Sequence, residues 1–173
     1  MLLELNEAIQ LIDGANVFGG PRQNWADLGC GSGLFTRALL SLLPVGSTVH
    51  AVDKKNTLLK DHTDSSIIFR RADFEKENLP LVNLDGILMA NSLHYIAEQL
   101  SCIRRLNKYL RPDKAHYLLI EYDTIVANQW VPYPLPFAHA QKLFRDAGFL
   151  NFKKIGERKS LFREGNIYAC LID

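Results

Sequence analysis

The residues with the clearest chemical potential form one short segment, Asp27-Leu28-Gly29-Cys30-Gly31-Ser32-Gly33. Three glycines within five residues follow the apolar run that begins at Trp25, and an amphipathic helical pattern starts directly after them, at Leu34. Glycine permits sharp turns and lets a ligand approach main-chain atoms that a Cβ would shield. A glycine-rich turn between a strand and a helix can therefore hold a nucleotide-like cofactor.

The spacing of these glycines narrows the choice of cofactor. In the dinucleotide fingerprint GxGxxG, the third glycine comes three residues after the second. Counted from Gly29 and Gly31, that position is Leu34, and the third glycine is Gly33 instead. The GxGxG spacing makes NAD the less favoured alternative, and the missing Gly-Lys-Ser/Thr ending disfavours a P-loop that hydrolyses ATP.

Strand-like and helix-like segments alternate through most of the chain. Alternation of this kind predicts βαβ units and a parallel sheet. We predict strands at 25–28, 48–53, 67–69, 84–90 and 117–121, and helices at 3–12, 34–42, from Leu58 onward and from about His94 to Leu110.

The last quarter of the chain follows a different pattern. A helix from Phe137 is predicted to end at Gly148, a favoured residue just past a helix end. Strands at 149–155 and 167–171, joined by a polar loop, then predict an antiparallel hairpin, because no helix separates them. The length of 173 residues predicts a single domain, with residues 1–20 as an N-terminal helical segment and 21–173 as the core.

With the segment Asp27–Gly33 and this order of elements, the chain resembles the class I S-adenosylmethionine-dependent methyltransferases, in particular the small type 11 methyltransferase-like group. The resemblance extends from about Trp25 to Asp173. It implies an α/β, Rossmann-like fold with a seven-stranded mixed sheet in the order 3-2-1-4-5-7-6, strand 7 antiparallel, and helices on both faces. It also implies S-adenosylmethionine as the methyl donor, S-adenosylhomocysteine as the product and a small-molecule acceptor.

Two other functions are kept beside this one. The first is a non-catalytic module that holds S-adenosylmethionine or S-adenosylhomocysteine and serves a partner protein. The second, less favoured, is an NAD-dependent oxidoreductase, against which Leu34 argues.

Acidic residues at the ends of two predicted strands extend the cofactor site. Asp53 can accept hydrogen bonds from both ribose hydroxyls, the alternative being a helix N-cap before Lys54. The resemblance implies that Asp73 accepts from the adenine amine beside Phe74, the alternative being a turn-forming Asp and a core Phe. The predicted cofactor-binding residues are Asp27, Gly29, Cys30, Gly31, Gly33, Asp53, Lys54, Asp73, Phe74, Ala90 and Asn91. Of these, Asp27 could brace the glycine turn, approach the amino end of the cofactor, or do both.

The segment after the fourth predicted strand carries the candidate catalytic residues, His94 and Tyr95. The resemblance implies that this segment passes the transferred methyl and that the backbone of Ala90 or Asn91 contacts the ammonium group of the cofactor. His94 is the natural general base near neutral pH. A structural histidine at the start of a helix is an equal alternative.

A proline-rich stretch, Trp130 to Phe137, is predicted to border the acceptor. Alternating prolines favour a stiff, extended path, and the predicted substrate pocket is lined by Tyr122, Trp130, Tyr133 and Phe137. The alternative is a rigid loop that covers one sheet edge. We expect a shallow cleft, or one closed by the N-terminal helix with the proline stretch, or one completed by a second copy or a partner chain.

Composition favours some partners and disfavours others. A net charge of +1 disfavours a protein that coats nucleic acid. The basic residues Lys153, Lys154, Arg158, Lys159 and Arg163 are better explained as a solvated edge hairpin. Three dispersed cysteines predict reduced thiols, no metal site and a cytoplasmic location, and neither a basic leader nor an apolar run of membrane-spanning length is apparent.

Overall fold

A seven-stranded sheet organises the protein in a computed structural model that describes residues 3–55, 64–112, 115–160 and 165–173. The strand order is β3-β2-β1-β4-β5-β7-β6. Neighbours among the first five strands pair in parallel, whereas β7 runs antiparallel to both β5 and β6. The strands are β1 (Asn24–Leu28), β2 (Thr48–Asp53), β3 (Ile67–Arg71), β4 (Gly86–Ala90), β5 (His116–Tyr122), β6 (Phe152–Lys159) and β7 (Asn166–Ile172). The predicted fold class and sheet order are confirmed.

Helices cover the sheet on both faces and create two apolar cores. The α-helices in the described residues are α1 (Leu5–Ile12), α2 (Leu34–Leu42), α3 (Gln99–Leu106) and α4 (Phe137–Asp146). Buried residues of α1 and α2 share one core with Trp25, and those of α3 and α4 share the other with Tyr117. Central strands covered on both sides are typical of parallel sheets and explain their nearly continuous apolar runs. None of the described helices is long and apolar enough to cross a membrane.

The predicted helix from His94 to Leu110 is wrong as one element. The chain forms a short 3-10 turn at Leu93–Tyr95, then an extended residue at Ile96, then α3, and finally a second 3-10 turn at Asn107–Tyr109. The apolar spacing continues across the break, which is why it suggested one helix. The N–H groups of Leu93 and His94 bond instead to a carboxylate on β5, and this fixes the first turn separately.

The C-terminal hairpin forms, but its first strand begins later than predicted. The helix α4 is followed, after its cap Ala147, by Gly148, whose φ is +102°, and the N–H of Phe149 donates to the carbonyl of Phe144 at 3.0 Å. This is a Schellman-type ending, which confirms the role predicted for Gly148. The N–H groups of Leu150 and Asn151 both donate to the Asp173 carbonyl, so the regular ladder with β7 begins at Phe152, and β6 continues to Lys159.

Other differences are local. The fourth strand begins at Gly86, because Leu84 makes only an isolated bridge with Leu110. The helix predicted from Leu58, and Arg163 of the basic group, lie outside the described residues.

Candidate functional site

The carboxyl ends of the parallel strands bring the predicted residues to one edge of the sheet. Strands β1 and β4 are neighbours there, and the chain order reverses between them. Such a switch point leaves a crevice where open α/β sheets bind ligands.

The glycine turn lies in this crevice and adopts backbone angles that side chains disfavour. The φ angles of Gly29, Gly31 and Gly33 are +85°, +53° and +79°. A Cβ on Gly29 would come within 2.5 Å of the Cβ of Ser92, so this position requires glycine. The Ser92 hydroxyl donates to the Leu28 carbonyl at 2.7 Å, which holds the segment after β4 against the turn.

Asp53 lies directly beside the turn. The Gly31 N–H donates to its Oδ2 at 2.9 Å, and the Lys55 N–H donates to its Oδ1 at 2.8 Å. The carboxylate therefore organises its own turn and also orients the glycine loop. Each oxygen keeps a second lone pair, so these bonds leave Asp53 able to accept from ribose hydroxyls. Lys54 is exposed next to it.

Two buried side-chain oxygens near the turn have no hydrogen-bond partner within the described ranges: Asp27 Oδ1 and Asn91 Oδ1. The other oxygen of Asp27 accepts from the Thr36 hydroxyl at 2.5 Å, which braces α2 against β1. Asn91 has a left-handed backbone, with φ of +51°, and its N–H donates to the Ile120 carbonyl. A buried oxygen without a donor is costly, and the ammonium group of S-adenosylmethionine is a donor of the kind these atoms lack.

Desolvation and neighbouring charge act on the ionisable groups around the turn. Burial raises the pKa of Asp27 to about 7, the Thr36 hydrogen bond opposes this rise, and the negative charge of Asp53 adds to it. Burial, followed by the charges of Asp27 and Asp53, raises the pKa of the Cys30 thiol well above its ordinary value. Cys30 is thus a neutral, packed side chain rather than a nucleophile.

Asp73 and Phe74 follow β3 in a compact turn. The Glu75 N–H donates to Asp73 Oδ1 at 3.1 Å. Phe74 is half-buried against the core, and its Cε1 lies 3.6 Å from where a Cβ on Gly29 would stand. The fold thus brings Phe74 to the glycine turn, although the two are far apart in sequence.

On the other side of the crevice, His94 forms a buried pair with Glu121 at the end of β5. His94 Nδ1 lies 2.5 Å from Glu121 Oε2, and each residue is only 1% exposed. Oε1 of the same carboxylate accepts from the N–H groups of Leu93 and His94 at 3.0 and 3.2 Å. When Glu121 is ionised and His94 is neutral, the ring proton lies on Nδ1 and Nε2 keeps its lone pair, the form in which a histidine accepts a proton.

Aromatic rings surround His94. The ring centroids of Tyr95 and Tyr122 lie 4.4 and 5.9 Å from that of His94, and the Tyr133 N–H donates to the His94 carbonyl at 3.0 Å. The amide of Gln99 donates to the Tyr133 carbonyl at 3.0 Å, which ties the proline stretch to α3.

The four predicted pocket residues do not form one group. Tyr122 and Tyr133 lie beside His94, whereas Trp130 is 69% exposed at the tip of the loop. Phe137 packs its ring against those of Phe152 and Tyr168, on the hairpin side of α4. Its separation from the His94 group follows from its place at the start of a helix whose apolar side faces the core.

Sequence reasoning missed Glu121, Thr36 and Gln99. A signal existed for Glu121, since a lone acid within the apolar run Tyr117–Tyr122 must find donors when that strand is buried. Thr36 lies on α2, nine residues after Asp27, and Gln99 lies on α3, 34 residues before Tyr133.

Comparison with known proteins agrees with this geometry. The family model Methyltransf_12, described as a methyltransferase domain, matches residues 26–116. A search of curated protein sequences finds no significant match.

Solved structures share the fold at low sequence identity. A chain from the Haloferax volcanii complex of the Trm112 methyltransferase activator with a methyltransferase gives a TM-score of 0.70 at 15% identity, over 95% of this chain and 88% of that one. Burkholderia thailandensis 1,6-didemethyltoxoflavin-N1-methyltransferase, with that compound and S-adenosylhomocysteine bound, gives 0.69 at 18%, over 95% and 76%.

Human N-acetylserotonin methyltransferase, in complex with S-adenosylmethionine, gives a TM-score of 0.68 at 21% identity over 95% of this chain. The present chain spans 50% of its length. At such identities the structures establish the fold, whereas the family model covers more than half of the chain. The protein therefore belongs to the methyltransferase domain family Methyltransf_12 and is a methyltransferase that uses S-adenosylmethionine.

Proposed function

We propose that the protein transfers a methyl group to a small-molecule acceptor that binds between the glycine turn and the His94 group. When bound, S-adenosylmethionine supplies a methyl group already activated by its sulfonium. The protein's tasks are then to align the acceptor, exclude water and receive a proton. The Burkholderia relative, which shares this fold, was solved with its own small-molecule acceptor and S-adenosylhomocysteine bound.

The residues assigned to the cofactor divide along the crevice. We assign Asp53 to the ribose hydroxyls and Asp73 with Phe74 to the adenine side. Asp27 and Asn91 take the ammonium end, with the positive-φ glycines between them. The observation that carries this assignment is the pair of buried, unpartnered oxygens on Asp27 and Asn91 beside that turn.

His94 is proposed to act as the general base. The acceptor donates its proton to Nε2 while Glu121, bonded to Nδ1, holds the ring and stabilises the imidazolium that forms. An acceptor with a protic group, such as a hydroxyl, needs this base. The rings of Tyr95 and Tyr122 supply an aromatic border suited to an apolar acceptor.

Ligand binding tests the assignment. Calorimetric titration with S-adenosylmethionine, S-adenosylhomocysteine and NAD should give binding by the first two alone. Asp53→Ala should weaken S-adenosylhomocysteine at least about tenfold, or about 1.4 kcal/mol. An unchanged dissociation constant would remove Asp53 from the site. Binding of NAD, without binding of the other two ligands, would overturn the proposal.

Turnover separates an enzyme from a binding module. S-adenosylhomocysteine release should rise when a panel of hydroxyl- and amine-bearing aromatic compounds is added. If the protein binds S-adenosylmethionine and S-adenosylhomocysteine tightly but no acceptor mixture leads to S-adenosylhomocysteine formation, the result would favour a binding module that serves a partner.

We also propose a relationship to the type 11 methyltransferase-like group, which rests on the Asp27–Gly33 motif. Residues 1–173 are proposed to form one methyltransferase domain. The helix α1 packs on α2 and one face of the sheet, and Gln99 ties the proline stretch to α3, which supports the proline stretch as a border of the crevice. A second copy or partner that covers the exposed Trp130 would change the protein's size in light scattering. The Haloferax relative was solved in complex with its activator.

A further inference from the structure

We propose that Arg105, on α3, is a positioning residue for the adenine side of the cofactor site, an inference that rests on the proposed function. Its guanidinium donates to three backbone carbonyls of one segment. Nη2 bonds to the carbonyls of Phe74 and Glu75, the latter at 2.7 Å, and Nη1 bonds to that of Glu77 at 3.2 Å. This segment, residues 73–77, carries the Asp73 carboxylate assigned to adenine.

Segment 73–77 is closed on itself. The Asp73 carbonyl accepts from the N–H groups of Lys76 and Glu77 at 3.0 and 2.8 Å. In return, Glu77 Oε1 accepts from the Asp73 N–H at 2.7 Å. These bonds fix the shape of the turn, but they do not fix its orientation against the rest of the fold.

Arg105, on the neighbouring helix α3, supplies hydrogen bonds that fix the orientation of segment 73–77. The planar guanidinium has five donors in a fixed geometry, so it can hold several carbonyls in one arrangement.

The orientation of the segment matters because Phe74 reaches the glycine turn. Its Cε1 lies 3.6 Å from the Cβ position of Gly29. A shift of about 1 Å in segment 73–77 would alter the space between Phe74 and the turn, and sites lose function when supporting contacts let them move that far. Arg105 acts through backbone carbonyls and is therefore assigned a positioning role rather than a catalytic one.

The adjacent Arg104 offers a matched control. Its Nη2 donates to the Asp146 carbonyl at 2.9 Å, at the end of α4. The two arginines share a helix, a residue type and a kind of acceptor, but Arg104 holds a segment that carries no predicted cofactor residue.

Calorimetric titration of wild type, Arg105→Met and Arg104→Met with S-adenosylhomocysteine and with adenosine tests the inference. Arg105→Met should weaken both ligands by about tenfold, because both contain the adenosine moiety. Arg104→Met should leave both dissociation constants within about twofold of wild type. Hydrogen exchange at the amides of residues 75–77 should rise in Arg105→Met alone.

Other results would contradict either the role of Arg105 or the proposed function, and the two cases can be told apart. Wild-type affinity in a folded Arg105→Met protein, or equal losses in both variants, would overturn the role of Arg105 and leave the proposed function intact. Failure of the wild type to bind S-adenosylhomocysteine would refute the proposed function itself. If Arg105→Met does not fold, Arg105→Lys against Arg104→Lys gives the same comparison, since an ammonium cannot hold three carbonyls in the planar arrangement of a guanidinium.

Discussion

At the scale of single residues, Asp27 is a buried carboxyl group with only one of its two oxygens hydrogen-bonded in the described residues. Asp27 is 1% exposed, bonded through one oxygen to Thr36 and unpartnered through the other within the part of the chain described. Burying a charge without a donor costs free energy, which appears as the raised pKa. A cationic ligand that donates a hydrogen bond to this oxygen would remove that free-energy cost.

The pH dependence of stability and of binding should reveal this carboxyl. With a pKa near 7 in the folded protein and an ordinary value of 3.8, the native state holds more protons than the unfolded state between those limits. Its contribution to stability should therefore fall as the pH rises from about 4 to about 7, then level off. Urea unfolding across this range, compared with Asp27→Asn, measures the difference.

Cofactor affinity should depend on pH in the opposite sense. The ammonium group favours the ionised carboxylate, so S-adenosylhomocysteine should bind more tightly as the pH rises through about 7. Asp27→Asn should flatten that rise in calorimetric titrations. An identical slope in the variant would show that another group is responsible.

At the scale of elements, the turn at Leu93–Tyr95 is separated from α3 by a contact with β5. Glu121 accepts the N–H groups of Leu93 and His94, and Ile96 is extended. The bonds to Oε1 thus break a helix that the apolar spacing favours, and the contact of Oε2 with Nδ1 orients the His94 ring.

Glu121→Gln keeps the shape of this contact and changes its proton arrangement. The amide can accept from both N–H groups but must donate to His94 Nδ1, which moves the ring proton to Nε2. Nitrogen chemical shifts should report the changed tautomer, and methyl transfer to a hydroxyl acceptor should fall by roughly 100-fold. S-adenosylhomocysteine affinity should stay the same. Full activity with the shifted tautomer would exclude His94 as the base.

At the scale of the whole molecule, the cores on the two faces of the sheet share the central strands β1 and β4, which also pack closely against each other. Gly86 begins β4 directly against the Trp25 ring of β1, and a Cβ there would come within 2.2 Å of Trp25 Cζ3. Trp25 is completely buried. The pairing of β1 with β4, and with it the crevice at their ends, depends on this close approach.

Gly86→Ala should destabilise the fold by about 1–3 kcal/mol, because the added methyl overpacks a region that cannot yield without moving Trp25. Gly19→Ala is the matched control, since a Cβ there meets no atom within 4 Å. Urea unfolding of both variants measures the effect. Equal stabilities would show that the Trp25 ring shifts at little cost.

The sequence by itself determined the α/β class, the glycine turn and the place of Asp53 at a strand end, and the resemblance to class I methyltransferases implied the sheet order. The first three features rest on local signals: alternation of elements, glycine spacing and acids at strand ends, each contained within a few residues. Gly148 was equally predictable, because a helix ending needs only its own neighbours.

Only the tertiary structure decided how distant segments meet. Glu121 and His94 are bonded across 27 positions, and Arg105 reaches carbonyls about 30 positions away. The tertiary structure also packed the Phe137 ring against Phe152 and Tyr168 of the hairpin. Periodicity specifies which face of an element is buried, but not which polar groups satisfy one another once the faces are packed. The proposed cofactor site was therefore largely visible in the sequence, whereas the proposed acceptor side depends on contacts that only folding creates.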